Sequence, residues 1–428
     1  HKWGATREGV LIAAEVRILG DGGAYCYTTN KVLGNSVCSC IGPYEIPNVH
    51  ADVDGVYTNN PPGGAFRGFG APQALFAAEQ QMNKLAKALG MDPVELRLKN
   101  LLREESLNAM GTPLPGGVSL VQVTEQCARA AGWIQTEAGW QRPQSDDGRQ
   151  ATDDGHNTQQ ATRITHRGLG LAVGFKNVGY SFGFPENCWA KIELEGGAEI
   201  ERASVYIGTA EVGQGSHTVI SQMAAEALGL SLAQVRLIPS DTATSPHSAG
   251  SVSASRMTFM SGGAIRGAAQ AALKAWDQEE RPAAAEFTYL APKSTPVDPI
   301  TGHGTPNLAY GYVAQAVEVE VDVETGELRV LRIICVDDVG KAINPQQIKG
   351  QIEGGVVQAL GWATSENLIT SGGRVLTPDF STYLIPTIRD VPDAVKSMIV
   401  EWPDPRSAWG LRGMGEMPFL PLAPALTA

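Results

Sequence analysis

Basic residues are in short supply: 33 lysines and arginines stand against 45 aspartates and glutamates, a formal charge of −12 over 428 residues. Nucleic-acid and anionic-membrane binders draw affinity from clustered Lys and Arg, so small molecules or protein partners are expected instead. Long apolar runs are missing too; stretches such as Val10-Leu11-Ile12-Ala13-Ala14 are far too short to span a bilayer. Six cysteines are too few for a disulfide scaffold, and the close pair Cys38-Ser39-Cys40 fits no common zinc spacing. Reduced thiols in a soluble, cytoplasmic protein are the expectation. From Thr136 to Arg167 aliphatic residues almost vanish, so this stretch cannot pack a core and is predicted to be a polar linker.

The chain as a whole has ordinary globular composition, 43% hydrophobic and 18% charged. The polar stretch 136–167 divides it into a first unit, 1–135, and a second, 168–428. In the first, Gly9 to Leu19 and Ala51 to Thr58 read as strands. Pro72 to Leu89 reads as a helix, because Leu75, Ala78, Met82, Leu85 and Leu89 share one face, Pro72 suits the first turn and Gly90 the stop. A second helix is predicted from Asp92-Pro93-Val94-Glu95, whose acid-x-x-Glu order suits capping. In the second unit, Trp189 to Glu195 and Glu199 to Ile207 flank Gly196-Gly197 as a hairpin, and the alternation Val317, Val319, Val321, Val323 before Thr325-Gly326 predicts another. Hairpins mixed with helices predict an α+β fold.

Several segments carry possible chemistry. Gly208-Thr209-Ala210-Glu211-Val212-Gly213-Gln214-Gly215 follows a strand and opens into a helix from Ser216 to Leu228, so its amides and the helix dipole could hold an anion. It lacks the lysine of a P-loop and the third glycine of a dinucleotide fingerprint, and the plain alternative is a tight connection. Ala65-Phe66-Arg67-Gly68-Phe69-Gly70 shares its Ala-x-x-Gly-x-Gly pattern; a duplicated unit would aim both loops at one ligand, whereas two Gly-rich turns can also agree by chance. Arg67 between two rings could hold an anionic group. Ser245 to Ser261 offers small residues and the hydroxyls of Ser251, Ser253, Ser255 and Thr258 beside Arg256, suited to a phosphate-bearing cofactor or simply a Ser-rich loop. Glu416, in Gly413-Met414-Gly415-Glu416-Met417-Pro418, would have a raised pKa if buried between methionines, as a general base near neutral pH requires. Gln351 is placed at the opening of an apolar helix, Val356 to Trp362, as a ligand amide or a cap.

In this order the segments resemble the molybdenum-binding part of the xanthine dehydrogenase and aldehyde oxidase family of molybdenum hydroxylases. Ala65 to Gln73, Glu211 to Gly215, Ser253 to Arg256, Gly350 to Gly354 and Gly415 to Pro418 carry the resemblance across nearly the whole chain. It implies two molybdopterin-binding domains of repeated strand-and-helix units, and a molybdopterin, in cytosine dinucleotide form in many bacterial members, with no protein ligand to the metal. It implies oxidation of an aldehyde or N-heterocycle with water-derived oxygen and hydride transfer to a molybdenum sulfido ligand, Glu416 acting as base. Gln214 would lie near an oxo ligand and Arg67 behind the metal. Phe66, Val212, Gly213, Ser253, Ala254, Ser255 and Gln351 complete the cofactor contacts, and Asn35 and Phe69 the substrate wall. Iron–sulfur clusters and FAD would sit on partner subunits or domains, and a homodimer is allowed.

Two departures narrow this. Purine-binding members carry an arginine where this chain has Asn35 or a neighbour, which argues against a purine. Gly68 follows Arg67 where the carbon monoxide branch has a cysteine. The resemblance further implies that the chain is truncated at both ends, lacking an N-terminal part of the same molybdenum domain, so that alone it would lack metal and activity. The contrasting possibility is a non-catalytic binding or assembly module of the same fold, which would have no need of Glu416 beside Gln214.

Overall fold

The computed structural model describes residues 1–143, 164–247 and 252–428. Strands β1 (Lys2–Ala5), β2 (Leu11–Gly23) and β3 (Asn48–Tyr57) form one sheet, in which β1 and β2 are antiparallel while β2 and β3 are parallel across helix α1 (Thr29–Cys38). Helices α2 (Ala71–Leu89), α3 (Pro93–Asn100) and α4 (Leu120–Ala131) follow. A hairpin of β4 (Ile134–Thr136) and β5 (Gly139–Gln141) and the start of β6 (Thr165–Val178) reach into both ends of the polar stretch; residues 144–163 lie outside the described residues. Trp140 anchors the hairpin by burying its indole in the core.

The opening pattern then recurs. Strands β7 (Asn187–Gly196) and β8 (Ile200–Ile207) are antiparallel, β8 and β9 (Val235–Pro239) are parallel across α5 (Ser216–Leu228), and α6 (Met257–Asp277) follows, with β10 (Ala283–Leu290) added beside β7. The repeated β-β-α-β-α unit assigns the loops differently from the expectation. The loop 65–70, before α2, matches the loop before α6, and the loop 208–215 matches the turn that leads into α1. The shared Ala-x-x-Gly-x-Gly is therefore local. Gly68 and Gly70 (φ 95° and 88°) and Gly213 and Gly215 (φ 98° and 81°) each enter a helix through left-handed backbone that glycine alone adopts freely.

A third sheet runs β15–β12–β11–β6, from β11 (Ala309–Asp322), β12 (Leu328–Asp338) and β15 (Ala394–Val400). Before β15 come α7 (Pro345–Thr364) and a short hairpin, β13 (Thr370–Ser371) with β14 (Arg374–Val375); α8 (Leu422–Leu426) closes the chain. Alternate residues of β11 face opposite cores. Tyr310, Tyr312, Ala314 and Ala316 join Val123 and Cys127 of α4, while Val313 and Val317 join Ile352 and Val356 of α7. Both faces are covered along the first part of β11, where Val313 to Val317 are buried on both sides; beyond it Glu318 and Glu320 alternate with valines. Helix α4 comes from the first half of the sequence and the sheet from the second, so the two halves share a core. No helix among the described residues is long and apolar enough to cross a membrane.

One buried ion pair fastens the halves. Arg97 of α3 lies 2.8 Å from Glu79 of α2, with neither side chain exposed. Glu79 also accepts the hydroxyl of Tyr44 and, at 3.1 Å, the amide of Val173 on the free edge of β6. Breaking a buried pair strands the remaining charge. Glu79→Ala is expected to lower unfolding free energy by about 3–5 kcal/mol, whereas Glu79→Leu with Arg97→Met costs less; urea denaturation of both variants checks the difference.

Candidate active site

Four segments converge: the loop 65–70, the loop before α6, helix α7 and the turn 413–418. Close approach depends on missing side chains. A Cβ on Gly311 of β11 would stand 2.0 Å from Met417 Sδ, and one on Gly413 would stand 1.7 Å from the carbonyl oxygen of Ser255. Glycine at both positions lets the turn settle on the sheet and against the loop before α6.

Arg67 lies along α7. Its guanidinium donates to the carbonyl of Gly415 (2.6 Å), to Gln351 Oε1 (3.2 Å) and to Gln358 Oε1 (3.4 Å). A Cβ on Gly355 would come within 3.3 Å of it. Burial weighs against its charge, and the carboxylates of Glu416 and Asp337 favour it. The expected cage of two rings does not form. Phe66 packs edge-on against Phe419 at 5.3 Å instead, and Phe69 adopts left-handed backbone (φ 52°). Asn35, 2% exposed, donates its amide to the carbonyls of Phe69 (2.7 Å) and Gly68 (3.4 Å), so it braces this loop.

Glu416 is held from three sides. Its Oε1 accepts the amide of Gly68 (3.0 Å), its Oε2 accepts the hydroxyl of Ser255 (3.4 Å), and Lys176 Nζ of β6 stands 3.3 Å from Oε2. The sequence reading placed this carboxylate between methionines and missed the lysine. The signal was a single charge inside the apolar run from Leu169 to Val178. Ser255 also accepts the amide of Glu416 at 3.0 Å. Ala254 and Ser255 both adopt left-handed backbone (φ 61° and 53°), strain of the kind that concentrates at functional sites. What holds it is Arg256, paired with Glu186 at 2.7 Å and stacked on Tyr180, together with a bond from the amide of Gly179 to the carbonyl of Ala254.

A cavity of about 150 Å³ opens beside this cluster, with Gln214, Ser255, Thr258, Lys341, Gln347 and Gln351 in its wall. Glu416 adjoins the cavity through Gly415 and Ser255 rather than lining it. Gln351 sits within α7, not at its opening. Asn344 caps the helix by accepting the amide of Gln347 at 3.1 Å, and Pro345 takes the first turn. The buried Oε1 of Gln347, against Gly215, has no hydrogen-bond partner.

The anion cradle is already filled by the chain itself. Glu211 accepts the amides of Gly213 and Gly215 (both 2.9 Å) and His217 (3.1 Å), and the hydroxyl of Ser216 (3.3 Å). The donors that should have held a ligand anion hold this carboxylate at the start of α5. Gln214 bridges the same loop, donating to the carbonyl of Ala210 (2.9 Å) and accepting the amide of Val212 (2.6 Å). Val212 itself is exposed. Ser253 and Ala254 belong to the strained turn, and Ser251 lies outside the described residues. Among the described residues no group of three His, Cys, Asp or Glu is placed to hold a metal ion, and all six cysteines are free.

Comparison with known proteins gives this arrangement its family. The molybdopterin cofactor-binding domain matches at residues 1–101, and a second domain of the same description matches at 141–294 and 269–392. The chain belongs to the molybdopterin cofactor-binding family. It is 31% identical to an aldehyde oxidoreductase of Megalodesulfovibrio gigas, over 98% of this chain and 45% of that protein. It is 30% identical to one subunit of a probable xanthine dehydrogenase of Bacillus subtilis, over 99% of this chain and 58% of that protein. The solved aldehyde oxidoreductase from Desulfovibrio gigas superposes with a TM-score of 0.84 at 29% identity, covering 99% of this chain and 45% of that one. A Cu,Mo-CO dehydrogenase, at 23% identity and a TM-score of 0.81, shares the fold. The molybdopterin-binding chain thus spans about half the length of the curated relatives it matches. It is a mixed α and β protein of the xanthine dehydrogenase and aldehyde oxidoreductase type.

The Glu211 clamp has a pH signature. Burial alone would raise the pKa of Glu211, and the amide and hydroxyl donors outweigh it and lower the pKa below the ordinary 4.5. The clamp's contribution to stability is therefore complete above the unfolded value and is lost as pH falls through the folded one. Glu211→Gln is expected to lower Tm at pH 7, with the gap to wild type narrowing below about pH 4.5; thermal melts across pH 3–7 check it.

Proposed function

We propose that this chain supplies the catalytic wall of a molybdenum hydroxylase that oxidises an aldehyde or an N-heterocycle with water-derived oxygen. The observation that carries the reading is Glu416, a carboxylate fixed by Gly68, Ser255 and Lys176 at the rim of a cavity whose wall includes Gln214, Ser255, Gln347 and Gln351. A base must be aimed before it can act, and a backbone amide with two side-chain donors aims this one.

The residues fit the cofactor the family binds. The cavity wall is rich in neutral amides and hydroxyls, and the unpartnered Oε1 of Gln347 faces Gly215 at its edge. Gln214, Gln351, Ser253 and Ser255 would hold the pterin and its pyrophosphate, with Phe66, Val212, Gly213 and Ala254 alongside. Arg67, cationic and spread along α7, would back the metal. When bound, the molybdenum–pterin group supplies a two-electron redox centre. A cytosine dinucleotide form of the pterin, and iron–sulfur and FAD partners to carry the electrons away, complete the proposal.

Glu416 would take the proton that the water-derived nucleophile loses as it adds to an electron-poor carbon. Lys176 and the amide of Gly68 hold the carboxylate in place for that transfer. Phe69 and Asn35 act together on the substrate side: the ring would line the wall, and Asn35 fixes the loop that presents it. Replacing Glu416 with Gln in the full-length, molybdenum-loaded enzyme is expected to lower kcat about 10²–10⁴-fold, with molybdenum content by elemental analysis unchanged. Undiminished turnover at normal metal content would overturn the assignment and favour a non-catalytic role for this chain.

A further inference from the structure

The charge behind Glu416 is unusual in its setting. Lys176 is 2% exposed, near the end of β6 and directly after its apolar run from Leu169 to Phe175. A buried ammonium is costly unless it is paired and its donors are satisfied, and here they are. Besides Glu416 at 3.3 Å, Nζ donates to Asn177 Oδ1 (2.5 Å) and to the carbonyl of Asn177 (3.2 Å). The bonds continue inward: Asn177 Nδ2 donates to Ser181 Oγ (2.9 Å), Ser181 to Asn307 Oδ1 (2.5 Å), and Asn307 Nδ2 to the hydroxyl of Tyr310 (2.9 Å). All five residues of this chain of bonds are buried.

Backbone geometry delivers Glu416 to this cation. Lys176 pairs across the sheet with Gly311, the residue whose missing side chain makes room for Met417. The turn thus settles on the sheet beside the ammonium, and Glu416 precedes Met417 in it. Other charged or titratable groups stand near the pair: Arg67 of the loop 65–70 interacts with Glu416 and with Asp337 of β12, and Cys38 of α1 interacts with Lys176. Burial pushes Asp337 up to about 7. Lys176 alone among these cations forms an ion pair with Glu416.

We propose that Lys176 is a positioning residue: a fixed, buried cation that holds the Glu416 carboxylate in one orientation. This rests on the reading of Glu416 as the base, and it assigns to Lys176 no contact with substrate or cofactor. Its network, running through Asn177 and Ser181 to Tyr310, keeps the ammonium from following Glu416 when that residue becomes neutral.

The test uses the full-length, molybdenum-loaded enzyme. Lys176→Met is expected to lower kcat about 10- to 100-fold, the cost of a catalytic group displaced by about an ångström, with KM changed less than about twofold. Difference infrared spectra, wild type minus Glu416→Gln, should show a carboxylate band that Lys176→Met shifts and broadens as the fixed cation is lost. An unchanged kcat, or an unchanged carboxylate band, overturns the proposal. Where Lys176→Met alone is too unstable to assay, the double variant with Glu416→Gln is expected to fold, because it removes both charges; failure of the double variant as well marks Lys176 as merely structural and also overturns the proposal. Normal turnover in Glu416→Gln would instead sink the base assignment, while the infrared bands still judge Lys176.

Discussion

The site depends on the close packing of the turn 413–418 against β11 and the loop before α6. Gly311 and Gly413 are the points of contact, and a Cβ at either would stand about 2 Å or less from its neighbour. Because the turn sits so low, Glu416 reaches three elements that are far apart in sequence: the loop before α2, strand β6 and the loop before α6. Arg67 then closes the ring by donating to the carbonyl of Gly415 and to Oε1 of Gln351 on α7. Remove the close approach and these contacts part together.

A second theme is self-sufficiency. Several groups that look like ligand-binding donors are already used by the protein. Glu211 occupies the amides at the start of α5, and Asn35 holds the loop that carries Phe69. The effect is a preformed frame in which few polar atoms remain free, and the Oε1 of Gln347 at the cavity edge is one of them. Preorganisation of this kind reduces the reorganisation needed when a ligand arrives. It also confines strain to short segments, such as Ala254-Ser255, that are braced by a buried ion pair.

Local periodicity made much of the fold legible. The face shared by Leu75, Ala78 and Met82 and the stop at Gly90 mark α2 to within a residue of its observed start, and the hairpins at Gly196 and Gly326 follow their alternation. Asp92 caps α3 as its position suggests, although Glu95 turns away to accept the amide of Trp140 rather than closing a capping box. Helix α7 was less legible because Gly350, Gly354 and Gly355 weaken its propensity; its true start is marked by Asn344-Pro345, six residues before Gln351. The partner of Glu416 lies 240 positions earlier in the chain, and no local pattern joins Lys176 to it. Glu211 misled for the opposite reason: a Gly-rich turn before a helix does bind an anion here, and the anion is part of the turn.

The central claim is that these segments form one wall of a molybdopterin site, with Glu416 at its rim. A crystal structure of the full-length enzyme with its cofactor bound tests it most directly. The account predicts pterin density in the cavity between Gln214, Ser255 and Gln351, with a hydrogen bond to the now satisfied Gln347 and the Glu416 carboxylate still paired with Lys176. A pterin seated elsewhere, with this cavity empty and Gln347 still unpartnered, would contradict it.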